Sequence, residues 1–131
     1  EQLAVNLAHP KITAFKAVQG VQKNIVGHGE IYITEDGEAI LGKIIIGDEK
    51  LRGKGLGQQI VHQLVHIAFA KLKVEKVLLY VFDWNIGAIK CYEKEGFVVE
   101  KGGSKKRYIN GETWTAIKMV LEKNQKMLLN N

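Results

Sequence analysis

Residues 44–57 read IIIGDEKLRGKGLG, an apolar strand that leads through a glycine-rich turn into a helix. The apolar run begins at Ala39, and residues from Leu56 to Leu72 repeat with helical spacing. Glycines let consecutive main-chain N–H groups converge, and a helix amino terminus adds positive partial charge. This order therefore predicts a loop that binds phosphate, with Arg52 as an additional forked donor.

Two well-known phosphate-binding loops do not fit these residues. A Walker A loop needs a glycine at Asp48 and a serine or threonine at Gly55. The dinucleotide-binding pattern G-x-G-x-x-G would need its third glycine at Gln58 or Ile60. The loop therefore belongs to a different class of phosphate site.

A second motif lies about thirty residues further along the chain, at another predicted junction of strand and helix. From Asn85 to Phe97 the sequence follows the pattern N-x-x-A-x-x-x-Y-x-x-x-G-F, and from Arg52 to Gly57 it follows R-x-x-G-x-G. Together these motifs resemble those of the GNAT N-acetyltransferases, and the resemblance spans roughly residues 24–121. Gly47-Asp48 and the segment from Tyr108 to Gly111 are similar to the branch that contains ribosomal-protein alanine and spermidine N-acetyltransferases.

The predicted elements indicate one α/β domain, residues 1–131, whose tail, residues 122–131, could fray. We expect strands at 12–19, 25–33, 39–46, 76–82, 97–109 with a kink at Gly102-Gly103, and 112–121, and helices at 56–72 and 85–95. The dipeptides Asp36-Gly37 and Asn110-Gly111 predict hairpins. The resemblance implies a mixed, mostly antiparallel sheet with a central splayed parallel pair and flanking helices.

The resemblance also implies an amino-terminal strand and helices that wall the acceptor site. Little precedes Ile12 that could form them, so we expect this portion to be missing. Either the chain is truncated or processed, or a second subunit covers the exposed sheet edge, as in a homodimer.

Acetyl-CoA is the cofactor that the resemblance implies. The main chain of the central strand would pair with its pantetheine arm, the glycine loop would hold its pyrophosphate, and the second helix start would contact the pantetheine. By position, the cofactor-binding residues are Ile45, Gly47, Arg52, Gly53, Lys54, Gly55, Leu56, Gly57, Gln58 and Asn85. Asn85 could equally be a plain helix N-cap.

Tyr92 and Glu30 are the predicted catalytic residues. Tyr92 lies two helical turns after Asn85 and shares its helix face, so its phenol could protonate the departing CoA thiolate. Glu30 lies on the polar face of its strand, between His28 and Tyr32, and could accept a proton from the attacking amine. Glu30 could equally be an exposed strand carboxylate without a catalytic role. Asp48 is the alternative candidate for the base.

We predict no metal site. His62 and His66 are four residues apart, but Gln63 stands where a zinc-protease motif has glutamate, and no third ligand is indicated. Cys91 is the sole cysteine, so it cannot form an intramolecular disulfide, and we interpret it as a packed small residue.

Composition limits the remaining classes. The net charge of +5 permits contact with polyanions, yet it does not distinguish RNA from the phosphates of a cofactor. No apolar run is long enough for a membrane helix, and no secretory leader is visible, so we expect a cytoplasmic protein without a membrane partner. The predicted function is acetyl transfer from acetyl-CoA to a primary amine of a small molecule or peptide. Alternatives are a non-catalytic acyl-CoA-binding module and, less favoured, a ribosome- or RNA-binding domain.

Overall fold

The computed structural model describes residues 2–9, 12–20, 22, 24–46 and 55–125, and eight strands within them form one sheet. The strands are β1 (Gln2–His9), β2 (Ile12–Gln19), β3 (Asn24–Ile33), β4 (Ala39–Ile46), β5 (Lys76–Phe82), β6 (Val98–Val99), β7 (Lys105–Ile109) and β8 (Glu112–Glu122). The helices are α1 (Leu56–His66), which continues into a π-helical turn at Ile67–Lys71, and α2 (Ile86–Glu95).

The strand order is β1-β2-β3-β4-β5-β8-β6, with β7 also paired to β8. β4 and β5 pair in parallel, and every other pair in this sheet is antiparallel. The connection between the two parallel strands contains α1, as a crossover between parallel neighbours requires. The predicted fold class, a mostly antiparallel sheet with one central parallel pair, is confirmed.

Strand β1 corrects one expectation, because the segment before Ile12 forms a strand where none was expected. It pairs with β2 in antiparallel register from Gln2↔Val18 to His9↔Ile12. Leu3, Val5 and Leu7 stand at every second position of its sequence, and a period of two residues is typical of a strand. No helix precedes α1 in the part of the chain that the structure describes.

Helix α1 packs directly on β3. A Cβ atom built on Gly29 would lie 2.8 Å from Cδ1 of Leu64, so only glycine permits this approach. Gly27, Gly29 and Ile31 are buried on the helix-covered face, and Glu30 points to the other face, as predicted. Ile25 follows the same alternation but is exposed. Gly27 pairs with Ala17 and Ile25 pairs with Val18, so β3 has one extra residue here, and this bulge changes the phase of the alternation.

The predicted helix 56–72 is present, but its last turn changes geometry. In the π-helical turn, Leu72 N–H donates to the carbonyl of Ile67. The wider turn shifts the apolar face, so that Ala68 and Phe69 are buried and Leu72 is 39% exposed. No helix among the described residues is long and apolar enough to cross a lipid bilayer.

The predicted hairpins and the predicted kink are confirmed. Asn110 and Gly111 both have positive φ, 50° and 82°, as a type I′ turn requires. The loop at Asp36-Gly37 connects β3 to β4. The kink at Gly102-Gly103 separates β6 from β7, and both strands pair with β8.

Candidate active site

The central strands β4 and β5 diverge at the middle of the sheet. Their parallel pairing joins Ala39–Leu41 to Val77–Leu79 and ends there, although β4 continues to Ile46 and β5 to Phe82. A bulge in β4 lies at the same level, because Glu30 pairs with Gly42 whereas His28 pairs with Ile45. The pairing of β4 with β5 ends at this bulge, and beyond it a gap lies between the two strands.

A cavity of about 240 Å³ fills this gap. Its lining comes from both faces of the sheet and from α2: Leu41, Gly42, Ile44, Leu79, Tyr80, Val81, Phe82, Asn85, Tyr92 and Ala116. Strands that diverge leave their facing N–H and C=O groups free to bond an extended ligand that carries its own amides. The cavity is therefore suited to a narrow amide-containing chain.

Helix α2 brings two predicted site residues to this cavity. The Asn85 side chain caps the helix, accepting a hydrogen bond from the N–H of Ala88 at 3.3 Å, and it also lines the cavity. Tyr92 lines the cavity two turns later and packs edge-on against Phe97, with ring centroids 6.0 Å apart. Both interpretations of Asn85 are thus compatible with its position.

Burial governs the ionisation of Tyr92. Loss of solvent raises the pKa of its phenol from 10.0 to about 12, and the nearby Cys91 thiol adds a smaller effect in the same direction. The phenol is therefore protonated at neutral pH, where it can donate a proton or a hydrogen bond but cannot act as a general base. The pKa of the Cys91 thiol is also raised, chiefly by burial, which suits a packed residue better than a nucleophile.

The amino terminus of α1 offers main-chain donors near the carboxyl end of β4. Gly55 has φ 79°, no side chain among the described residues caps this end, and the first turn carries no acidic residue. Leu56, Gly57 and Gln58 form that first turn, so their N–H groups and the helix dipole favour an anion here. The predicted cofactor residues Gly47, Arg52, Gly53 and Lys54, and the rival base Asp48, lie outside the described residues.

A polar cluster around the buried Glu95, which sequence analysis missed, joins the two helices. Glu95 is 4% exposed and accepts hydrogen bonds from Nδ1 of His62 at 3.0 Å and from Nε2 of Gln58 at 3.4 Å. A glutamate in the last turn of a helix is disfavoured by the helix dipole, and this was the available signal that Glu95 has partners elsewhere. The cluster fixes the first turn of α1 relative to the helix that carries Tyr92.

Glu30 is not brought to the cavity. It lies on the sheet face opposite α1 and contacts Nε2 of His28 at 3.3 Å. Its register partner Gly42 does line the cavity, so the carboxylate is one strand away from the gap. Tyr80 and Phe82 line the cavity from the same face. They were missed because five of the six residues from Val77 to Phe82 are aliphatic or phenylalanine, a pattern typical of plain core.

The described residues contain no group of three His, Cys, Asp or Glu side chains that could hold a metal ion. His62 pairs with Glu95.

Comparison with known proteins identifies the family. A model of the Acetyltransferase (GNAT) family matches residues 7–97. The chain belongs to the GNAT acetyltransferase family. Over 98 residues this GNAT protein is 33% identical to the spermidine N(1)-acetyltransferase of Vibrio cholerae serotype O1, a match that covers 72% of the chain and 54% of that protein. The chain thus spans about half the length of this curated relative.

Solved structures agree with this assignment. A mutant of the spermidine N-acetyltransferase SpeG from Vibrio cholerae superposes with a TM-score of 0.81 at 26% identity, covering 95% of this chain and 73% of that one. The spermidine N-acetyltransferase of Vibrio cholerae in complex with CoA and spermine superposes with a TM-score of 0.78 at 26% identity, covering 90% and 69%. The GNAT fold of the chain is therefore established, and the predicted branch is consistent with these neighbours.

Proposed function

We propose that this GNAT protein transfers the acetyl group of acetyl-CoA directly to a primary amine, with polyamines as the leading class of acceptor. The observation that carries the proposal is the cavity between β4 and β5, which Asn85 and Tyr92 line together. Relatives named for spermidine acetylation, and a neighbour that binds CoA and spermine, support both the donor and the acceptor class.

The proposed position of acetyl-CoA follows from the order of donors along the gap. The pyrophosphate would lie at the first turn of α1, on the N–H groups of Leu56, Gly57 and Gln58, with Arg52, Gly53, Lys54 and Gly55 completing the loop. The pantetheine would extend along β4 past Ile45 and Gly47, with Asn85 opposite. This arrangement delivers the thioester to the part of the cavity beside Tyr92.

In the proposed reaction, the neutral amine nitrogen attacks the thioester carbonyl carbon. A C–N bond forms, the C–S bond breaks, and the electron pair leaves on the CoA sulfur. The usual pKa of a thiol is about 8.5, well below the pKa of about 12 of Tyr92, so full proton transfer from the phenol is unfavourable. Tyr92 therefore acts mainly by donating a hydrogen bond to the sulfur as its charge develops.

Substitution of Tyr92 by phenylalanine tests this role. The ring and its contact with Phe97 remain, but a hydrogen bond to a developing charge, worth about 1.5–3 kcal/mol, is lost. We expect kcat to fall roughly 10- to 150-fold, with unchanged affinity for CoA in titration calorimetry. Tyr108→Phe, at a position 78% exposed on β7, is the matched control and should retain full activity. Equal turnover in the Tyr92 variant would remove the phenol from the mechanism.

Glu30 is the proposed acceptor of the amine proton, acting through water from the far face of the sheet. We expect Glu30→Gln to lower kcat/KM about 100-fold or more near neutral pH, and to lower it less at high pH, where the amine is already neutral. A loss of the same size at every pH would assign Glu30 to structure or binding instead.

The function itself is tested by thiol release from acetyl-CoA with a panel of amines: spermidine, simple alkylamines and peptides with a free amino terminus. Thermal stabilisation by CoA without turnover on any amine would make the chain an acyl-CoA-binding module. Failure of every CoA species to bind the folded protein would overturn the proposal entirely.

A further inference from the structure

The cavity is bounded by aromatic rings on the sheet face opposite α1. Tyr80 and Phe82 line it from β5, Trp84 follows, and Trp114 lies on β8 beside them. The Phe82 and Trp84 rings stack at 5.8 Å with an interplanar angle of 10°, and Trp114 meets them edge-on at 5.0 Å and 5.7 Å. These four residues are called the aromatic wall below.

The outer part of the aromatic wall faces solvent. Trp84 is 58% exposed even though one side of its ring stacks on Phe82. Trp114 is oriented by its indole N–H, which donates to Oε2 of Glu112 at 3.2 Å. An exposed tryptophan that stacks on a cavity-lining ring presents a π surface that a ligand can cover.

The inner part of the wall already holds an ammonium group. Nζ of Lys105 lies 4.5 Å from the centroid of the Tyr80 ring, within the range of a cation–π contact. Two exposed carboxylates, Asp83 and Glu112, adjoin Trp84 and Trp114 and would attract a cation to the outer rings. Two further cations lie on the strands that carry the wall: Lys118 of β8 pairs with Glu100 at 2.8 Å, and Arg107 of β7 is the register partner of Trp114.

We propose that the aromatic wall is the acceptor subsite and selects amines that carry a second cationic group. The reacting amine would enter the gap between β4 and β5, its alkyl chain would pack on Phe82, and the second ammonium would lie over the exposed face of Trp84. This assignment of an acceptor role rests on the proposed acetyl transfer, whereas cation binding by the wall does not.

The two tryptophans of the sequence both belong to the wall, so intrinsic fluorescence reports on this site alone. Without acetyl-CoA, titration with hexamethylenediamine should give a saturable change in tryptophan fluorescence. Tetramethylammonium chloride, which cannot be acetylated, should also give a saturable change in this fluorescence. Tert-butanol, a neutral molecule of similar shape, and sodium chloride at equal ionic strength should not. A response as strong to tert-butanol as to tetramethylammonium, or no saturable response to either cation, overturns the proposal.

Kinetics then test selectivity between two acceptors of equal length, hexamethylenediamine and hexylamine. We expect the wild type to prefer the diamine in kcat/KM. Trp84→Leu should reduce this preference about 2- to 30-fold, the range of one cation–π contact, mainly by raising KM for the diamine. Trp84→Phe keeps a π face, so its preference for the diamine should lie between those of the wild type and Trp84→Leu. Tyr108 is an exposed aromatic residue outside the wall, so Tyr108→Leu should have the preference of the wild type.

The two experiments separate this inference from the function on which it rests. Saturable fluorescence with cations but no acetyl transfer would leave the wall as a cation site and refute the transferase. Acetyl transfer with a preference that Trp84→Leu leaves unchanged would retain the transferase and refute the wall.

Discussion

Alkaline unfolding of the Tyr92→Phe variant tests the burial of this phenol without relying on activity. Its pKa is about 12 in the folded chain and 10.0 when unfolded, so the folded state retains a proton that the unfolded state releases. The resulting stability is fully present below pH 10 and is lost as pH rises through 12. The complete effect of two pH units is about 2.7 kcal/mol, of which about 1.4 kcal/mol is lost by pH 11.

Urea unfolding followed by circular dichroism at pH 8 and pH 11 measures this loss. The wild type should lose about 1.4 kcal/mol more than Tyr92→Phe between these pH values, because phenylalanine has no proton to release. Groups that titrate in this range independently of Tyr92 contribute to both proteins and cancel in the difference. Tyr108→Phe should behave as the wild type, since a ring 78% exposed loses little solvent on folding. Parallel losses in the wild type and Tyr92→Phe would show that the phenol is solvated, and would refute the reasoning about its protonation in the cavity.

Two further predictions concern the packing that supports the site. Gly29→Ala should lower the free energy of unfolding by about 1–3 kcal/mol, because the added methyl meets the fully buried Leu64 at 2.8 Å. Gly87 on α2 has open space around it, so Gly87→Ala should instead raise the free energy of unfolding by about 0.5–1 kcal/mol. The midpoints of urea unfolding measure both changes. Glu95→Ala removes the acceptor for His62 and should destabilise by about 1–3 kcal/mol in the same assay; an unchanged midpoint would mean that the polar cluster does not hold α1 to α2.

The sequence by itself determined the order of the elements from Ile12 onward, both hairpins and the family. These features depend on local rules: apolar period, turn residues with positive φ at Gly37 and Gly111, and a capping asparagine before α2. Even the strand β1, which was not expected, carries a local signal in the alternation from Leu3 to Leu7. The shared helix face of Asn85 and Tyr92 was likewise predictable, because seven residues make two turns.

Only the tertiary structure decided what meets across the gap. The bulge in β4 and the early end of its pairing with β5 are set by contacts between strands distant in sequence, and they create the cavity that joins Tyr92 to Tyr80 and Phe82. The same holds for the contact of Glu95 with His62 and for the stacking of Trp84 on Phe82 and against Trp114. A periodic pattern states which face a side chain occupies, but the neighbour on that face depends on register and helix placement, which the folded sheet alone fixes.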